Sequence, residues 1–176
     1  MATATVRPAT DDDVDAIMGI QDRTWRTAYA GLLPEEAFAS LTSDAARSHW
    51  TDAVHAGDGF HLLVALEGDE IVGFAAAARY AGAGDLSIAE VSALLVEPRW
   101  GRRGHGGRLL ATAATALRAA GEQTGRVWVP EADAASRGFY ARAGWEPDGA
   151  VRTLDTGTGT IREIRMAGTL DLRLVE

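Results

Sequence analysis

The chain has 176 residues, 25 acidic and 17 basic side chains for a formal charge of −8, and 47% hydrophobic residues. That size and composition fit a single domain, 1–176, with a buried core, and exclude a disordered or fibrous chain. With no cysteine present, disulfides and thiolate chemistry are excluded, and the acidic balance argues against a nucleic-acid partner.

All 17 basic residues are arginine, which excludes both a Schiff-base lysine and a Walker lysine. The four histidines are scattered with no His-x-x-x-His pair, so no metal is expected. No apolar run approaches the roughly 20 residues that span a bilayer, and the first residues lack a charged-then-apolar leader. A cytoplasmic protein with no membrane partner is the expectation.

In chain order, Thr5 to Pro8 reads as a short edge strand, because proline cannot donate to a ladder. Asp11-Asp12-Asp13 supplies a helix cap and an acidic first turn, after which Val14, Ile17, Met18, Gln21 and Trp25 follow at helical spacing. Gly31 to Pro34 breaks that helix, with Pro34 expected at the first position of the next one. Ser43-Asp44 starts a third helix, ending near Gly57. Two apolar runs, Phe60–Leu66 and Ile71–Ala76, flank Glu67-Gly68-Asp69-Glu70 and predict a hairpin. A strand over Ile88–Val96 stops at Glu97-Pro98. The next helix buries Leu109, Leu110, Ala113, Ala114 and Leu117 and stops at Gly121. Val127–Val129 is a strand, Asp133–Ala143 a helix ended by Gly144, and Trp145–Val151 and Ile161–Leu170 are two last strands. Thr153–Thr160 reads as a loop free to touch substrate or a second subunit. Strands in the middle with helices on both sides predict an α+β domain with a mixed sheet.

The segment Trp100-Gly101-Arg102-Arg103-Gly104-His105-Gly106-Gly107-Arg108 joins a buried strand to an amphipathic helix. Its glycines let backbone N–H groups converge and a bulky anion approach, while the helix start and Arg102, Arg103 and Arg108 add positive charge. A phosphate or pyrophosphate site is the functional reading; a turn that only packs helix on sheet is the structural one. A Walker ending and the Rossmann glycine spacing are both absent.

At these residues the sequence resembles the GNAT N-acetyltransferase superfamily, in its bacterial branch. The family turn, Gln/Arg-x-x-Gly-x-Gly/Ala, is matched by Arg102-Arg103-Gly104-His105-Gly106, with Gly101 departing from the leading Gln/Arg. A second block, Asp133-Ala134-Ala135-Ser136-Arg137-Gly138-Phe139-Tyr140-Ala141-Arg142-Ala143-Gly144-Trp145, is similar to Asn-x-x-Ala/Ser-x-x-Phe-Tyr-x-x-x-Gly-Phe, with Asp for Asn and Trp for the last Phe. Trp25 to Pro34 is a third likeness. Matched in order over nearly the whole chain, these imply a mostly antiparallel GNAT-like sheet flanked by helices. They also imply an acetyl-CoA-dependent transfer of acetyl to a primary amine of a small molecule or peptide.

The resemblance implies roles as well. Leu94, Leu95 and Val96 would lie beside the pantetheine arm, with an N–H near Leu94 or Leu95 polarising the thioester oxygen. Arg102, Arg103, Gly104, His105, Gly106 and Gly107 would hold the diphosphate, His105 being exposed and not catalytic. Tyr140 would be the general acid, or else a core aromatic; its neighbour Phe139 is the stronger core candidate of the two. Asp133 and Ser136 would contact the coenzyme, and Asp133 equally reads as a helix cap with one oxygen to spare. Glu90, placed by strand alternation on the face of Ser92, Leu94 and Val96, is a general-base candidate or a solvated strand-end carboxylate. Glu131 is a more distant choice, and Trp128 stands where some relatives carry a catalytic Glu. Trp25 and Tyr29, four apart on one helix face, are candidates for the acceptor pocket wall or for helix-to-sheet packing. No metal is needed, and a homodimer is suggested. The rival readings are a non-catalytic acyl-CoA-binding module and a nucleotide- or phosphate-binding protein.

Overall fold

Alternating apolar and polar residues, and glycines where the chain reverses, give this sequence twelve main elements. The computed structural model describes residues 3–80 and 87–173. The elements are β1 (Ala4–Pro8), α1 (Val14–Ala28), α2 (Glu35–Ser40), α3 (Asp44–Val54), β2 (Phe60–Glu67), β3 (Glu70–Arg79), β4 (Ile88–Val96), α4 (His105–Ala119), β5 (Thr124–Pro130), α5 (Ala134–Arg142), β6 (Glu146–Asp155) and β7 (Thr160–Thr169). The strands form one sheet in the order β1-β2-β3-β4-β5-β7-β6. Of its pairings only β4–β5 is parallel, so the sheet is mixed and mostly antiparallel, as expected.

Each face of the sheet has its own core. On one, α4 sets Leu109, Leu110 and Leu117 against Leu63, Val91 and Val127. On the other, Ile17 and Ile20 of α1 and Trp50 of α3 pack on Val64 and Phe74. Trp145 is wholly buried and lies so close over Gly125 and Gly168 that a Cβ at either would come within 2.5 Å of its ring. Its indole Nε1 donates to Thr169 O at 3.0 Å. Gly144, at φ +93°, turns the tryptophan inward, so β6 begins one residue later than predicted and runs on to Asp155.

Local capping also departs from the sequence pattern in small ways. Pro34 sits at the cap of α2, one residue before the helix, where its φ of −70° fits extended backbone. Ser43 caps α3 by accepting from Ala46 N at 3.2 Å. Asp13 closes a capping box with Thr10, and Arg7 of β1 donates to both its oxygens at 2.6 and 2.9 Å. That pair locks the edge strand to the start of α1.

A second buried carboxylate, Glu97, ends β4. Arg23 of α1 donates to one oxygen and Arg99 to the other at 2.8 Å, and Arg99 also reaches Glu70 at the β2–β3 turn. Burial pushes the Glu97 carboxyl up, but the two guanidiniums outweigh it and hold it below its ordinary value. At Asp13 the Arg7 hydrogen bonds act first and lower the carboxyl despite its burial.

Both carboxyls therefore stabilise the fold fully above their unfolded values of about 4, and that contribution is lost as pH falls through the lower folded values. Thermal melting from about pH 7 downward should show this as a steepening loss below about pH 4. Glu97→Gln should lower the Tm at neutral pH by a few degrees, corresponding to about 1 kcal/mol for contacts whose arginines stay solvated, and should flatten the acid limb. An acid limb identical to that of the unsubstituted chain would contradict this account of Glu97.

Candidate active site

The site begins with an irregularity in β4. Ala76 pairs with Ala93 and Ala77 with Val91, leaving Ser92 as an extra residue whose Oγ donates to Ala76 O at 3.2 Å. Such a bulge bends and twists its strand. The parallel pairing with β5 runs from Ile88–Thr124 only to Val91–Val127. Beyond it β4 stays with β3 to Val96, β5 stays with β7 to Pro130, and a V-shaped cleft opens between them.

The bulge also reverses the alternation of side chains. Ala89 and Val91, then Leu94 and Val96, face the α4 core, whereas Ala93 and Leu95 face the α1 side. Glu90 therefore does not share a face with Leu94 and Val96, as unbroken alternation had placed it; it belongs to the α1 side. There Arg126 of β5 donates to its Oε2 at 2.9 Å.

A cavity of about 650 Å³ fills the cleft. It brings together Trp25, Tyr29, Glu90, Leu94, Leu95, Val96, Asp133, Ser136 and Tyr140, nine of the residues singled out in the sequence. Trp25 and Tyr29 meet edge-on at 5.4 Å on the wall contributed by α1. Burial pushes the Tyr29 phenol up, with the charges of Glu163 and Asp133 adding to it.

Tyr140, not Phe139, is the core residue of its pair: Tyr140 is 5% exposed and Phe139 is half-buried. The Tyr140 ring stacks on Trp145 at 5.5 Å, yet the residue lines the cavity. Among the described residues its hydroxyl has no hydrogen-bond partner, in contrast to the backbone bond expected of a purely structural tyrosine. Burial, and secondarily the Asp133 charge, push its phenol well above the ordinary range, so it stays protonated. Asp133 caps α5 through Ser136 N at 3.0 Å, and its other oxygen accepts from Ser136 Oγ at 2.6 Å. The spare oxygen expected of this cap is thus already engaged, because the residue at the third helical position is itself a donor.

The glycine turn lies at the mouth of the cleft rather than in its lining. After Pro98–Trp100, a single 3-10 turn, Arg102 takes φ +62° and Gly104 φ +81°. Arg102 holds this conformation against a cost of about 1 kcal/mol or more, of the kind often seen at ligand clamps. Unlike α3 and α5, α4 starts with no side-chain cap, and like α5 it has no acidic residue in its first turn. Its first amides therefore keep open donors, next to an exposed Arg102, Arg103 and Arg108. Arg103 lies over Trp100 at 4.7 Å, and Arg108 Nη1 donates to Arg103 O at 3.0 Å. A Cβ on Gly106 would meet Phe139 at 3.3 Å and Leu94 at 3.7 Å, so Gly106 is where α4, α5 and β4 close on one another. Gly107 faces open space.

His105 is a correction to the sequence reading. It is 1% exposed, with Nε2 2.9 Å from Glu67 Oε2 and its ring edge-on to Trp100. The first residue of α4 points down onto the end of β2 instead of out with the flanking arginines. Glu131 pairs with Arg162 at 2.9 Å and does not line the cavity. Leu154 and Asp155, within the segment expected to touch substrate, line the cavity, whereas the sequence reading missed Arg152 of β6 and Glu163 of β7 beside them. Of Thr153–Thr160, the first three residues and the last belong to β6 and β7 while 156–159 is the loop, and Thr158 Oγ1 donates to Leu32 O at 3.1 Å. Among the described residues no group of three or more His, Asp or Glu is placed to hold a metal, and no helix is long and apolar enough to cross a membrane.

Such a cleft suits an elongated ligand: an anionic end at the α4 amides, an arm along the unpaired edge of β4, and a reactive end beside Tyr140. A family model described as an acetyltransferase (GNAT) domain matches residues 58–147. No curated protein matches the sequence. Among solved structures, the PaiA N-acetyltransferase from Thermoplasma acidophilum in complex with coenzyme A is similar at 20% identity and a TM-score of 0.72, over 92% of this chain and 98% of that one. The ribosomal-protein-alanine N-acetyltransferase from Brucella melitensis is similar at 21% identity and a TM-score of 0.77, over 94% and 99%. YncA from Salmonella typhimurium with acetyl-CoA is similar at 21% identity and a TM-score of 0.74, over 96% and 94%.

Because its hydroxyl makes no hydrogen bond among the described residues, Tyr140→Phe should leave the Tm within about 2 °C of the unsubstituted chain, as expected when no buried hydrogen bond is lost. A fall of about 5 °C or more, in the range of a lost internal hydrogen bond, would assign the hydroxyl a structural role.

Proposed function

The chain belongs to the GNAT acetyltransferase family, and on that premise we propose that it transfers the acetyl group of acetyl-CoA to a primary amine by direct attack, as one domain acting in the cytoplasm. The observation that carries the reading is the separation of β4 from β5 after Val91 and Val127, with an uncapped helix start at its mouth. Here the free edge of β4 at Leu94–Val96 hydrogen-bonds the pantetheine amides as a neighbouring strand would. The amides of Gly104 to Gly107 and the side chains of Arg102 and Arg103 take the diphosphate.

The neutral amine attacks the thioester carbonyl carbon while an N–H near Leu94 or Leu95 stabilises the developing oxyanion. The C–N bond forms, the C–S bond breaks, and Tyr140 gives its proton to the departing thiolate. The burial that keeps the phenol protonated also disfavours a bare thiolate at the same spot, which helps the transfer. Glu90, which accepts a hydrogen bond from Arg126 Nε at 2.9 Å, takes the proton from the incoming ammonium through water.

Tyr140→Phe should lower kcat by roughly a hundredfold with little change in the KM for acetyl-CoA. In the unsubstituted enzyme, no loss of rate attributable to Tyr140 ionisation should occur up to about pH 10, the ordinary tyrosine value that this residue exceeds. Turnover within twofold of the unsubstituted enzyme in Tyr140→Phe would remove its acid role. Replacing Arg102 and Arg103 together with Ala should raise the KM for acetyl-CoA about tenfold or more, the effect of losing a charge-assisted contact, but leave that for S-acetylpantetheine, which has no diphosphate, unchanged. An equal rise for both donors would contradict the diphosphate assignment.

A further inference from the structure

Among the described residues that line the cavity, Arg152 of β6 is the sole cationic side chain. Its guanidinium lies over the Trp128 ring at 4.4 Å, and its Nε donates to Glu163 of β7. Stacking on one side and a carboxylate on one edge fix the plane of the group. Its two terminal amino groups make no hydrogen bond among the described residues, and the side chain remains 43% exposed. An arginine held this way presents its outer edge as a ready fork for a planar anion, with the ordering cost already met by the protein. The carboxylates around it are each engaged: Glu90 by Arg126, Asp133 by Ser136, and Asp155 by Gly157 N at 2.8 Å. Trp128 stands where a carboxylate base is expected by resemblance, and here its ring carries the Arg152 guanidinium instead.

Resting on the acetyl-transfer reading, we infer that Arg152 is a specificity-determining residue that binds a carboxylate of the acceptor. The acceptor is a small amino-acid-like molecule carrying both the primary amine and a carboxylate. Acetylation converts its ammonium to a neutral amide and leaves the carboxylate on Arg152.

The test compares acceptors in pairs that differ by the carboxylate: phenylalanine with phenethylamine, tryptophan with tryptamine, and γ-aminobutyrate with propylamine. In the unsubstituted enzyme, kcat/KM for the carboxylate-bearing member of at least one pair should exceed that of its partner by about tenfold, as for one charge-assisted bidentate contact. In Arg152→Gln that ratio should fall to within about twofold through a rise in acceptor KM, the KM for acetyl-CoA holding as the control, and Arg152→Lys should fall between because it keeps the charge but not the fork. The ratio is the readout because the substitution does not alter the basicity of the amines. Equal or better use of the decarboxylated member in every pair, or a ratio untouched by Arg152→Gln, would overturn the inference while leaving acetyl transfer intact. Binding of acetyl-CoA with no turnover of any amine would instead overturn acetyl transfer, and this inference with it.

Discussion

One extra residue in one strand governs the site. Had β4 kept regular pairing with both neighbours, its backbone groups would be consumed by β3 and β5 and the sheet would be closed. The Ser92 bulge lets β4 bend away from β5 after Val91, so that from Leu94 onward one edge of the strand carries unpaired main-chain groups inside the fold. Unpaired edges are costly when nothing fills them. In the proposed function that edge, lying beside the cavity, takes a ligand with amides of its own.

The rest of the architecture holds that opening in place. Glu97 ties the far end of β4 to α1 and to the β2–β3 turn through Arg23 and Arg99, so the strand cannot swing back. Trp145, seated on Gly125 and Gly168, pins β5 and β7 together on the other side of the cleft. Gly106 allows α4 to approach Phe139 and Leu94, placing its uncapped amides at the mouth. Tyr140 belongs to both systems, its ring packed on Trp145 and its edge on the cavity. Stability and function thus share the same contacts.

Much of this was legible in the chain. The β2–β3 hairpin and the limits of β4 followed from apolar runs and their punctuation, and Gly121 and Gly144 stop their helices with φ of +97° and +93°. The bulge was not legible, because Ala93 to Val96 is apolar on both faces and a lone Ser92 before it does not mark an inserted residue. The placement of Glu90 failed for that reason alone. His105 misled because a polar residue in a glycine-arginine turn looks solvated, whereas the left-handed Gly104 before it turns its ring toward Glu67. Arg152 had no signal at all: β6 is an exposed polar strand, and only the sheet order brings it beside Trp128.

The central claim is that the gap between β4 and β5 is a backbone-lined slot for the coenzyme's arm. The direct measurement is a crystal structure with coenzyme A bound. The expected result is pantetheine amides hydrogen-bonded to main-chain groups of β4 between Ala93 and Val96, with the diphosphate on the amides that open α4. A coenzyme bound elsewhere, or a cleft closed by β4 pairing with β5 past Val91, would contradict it.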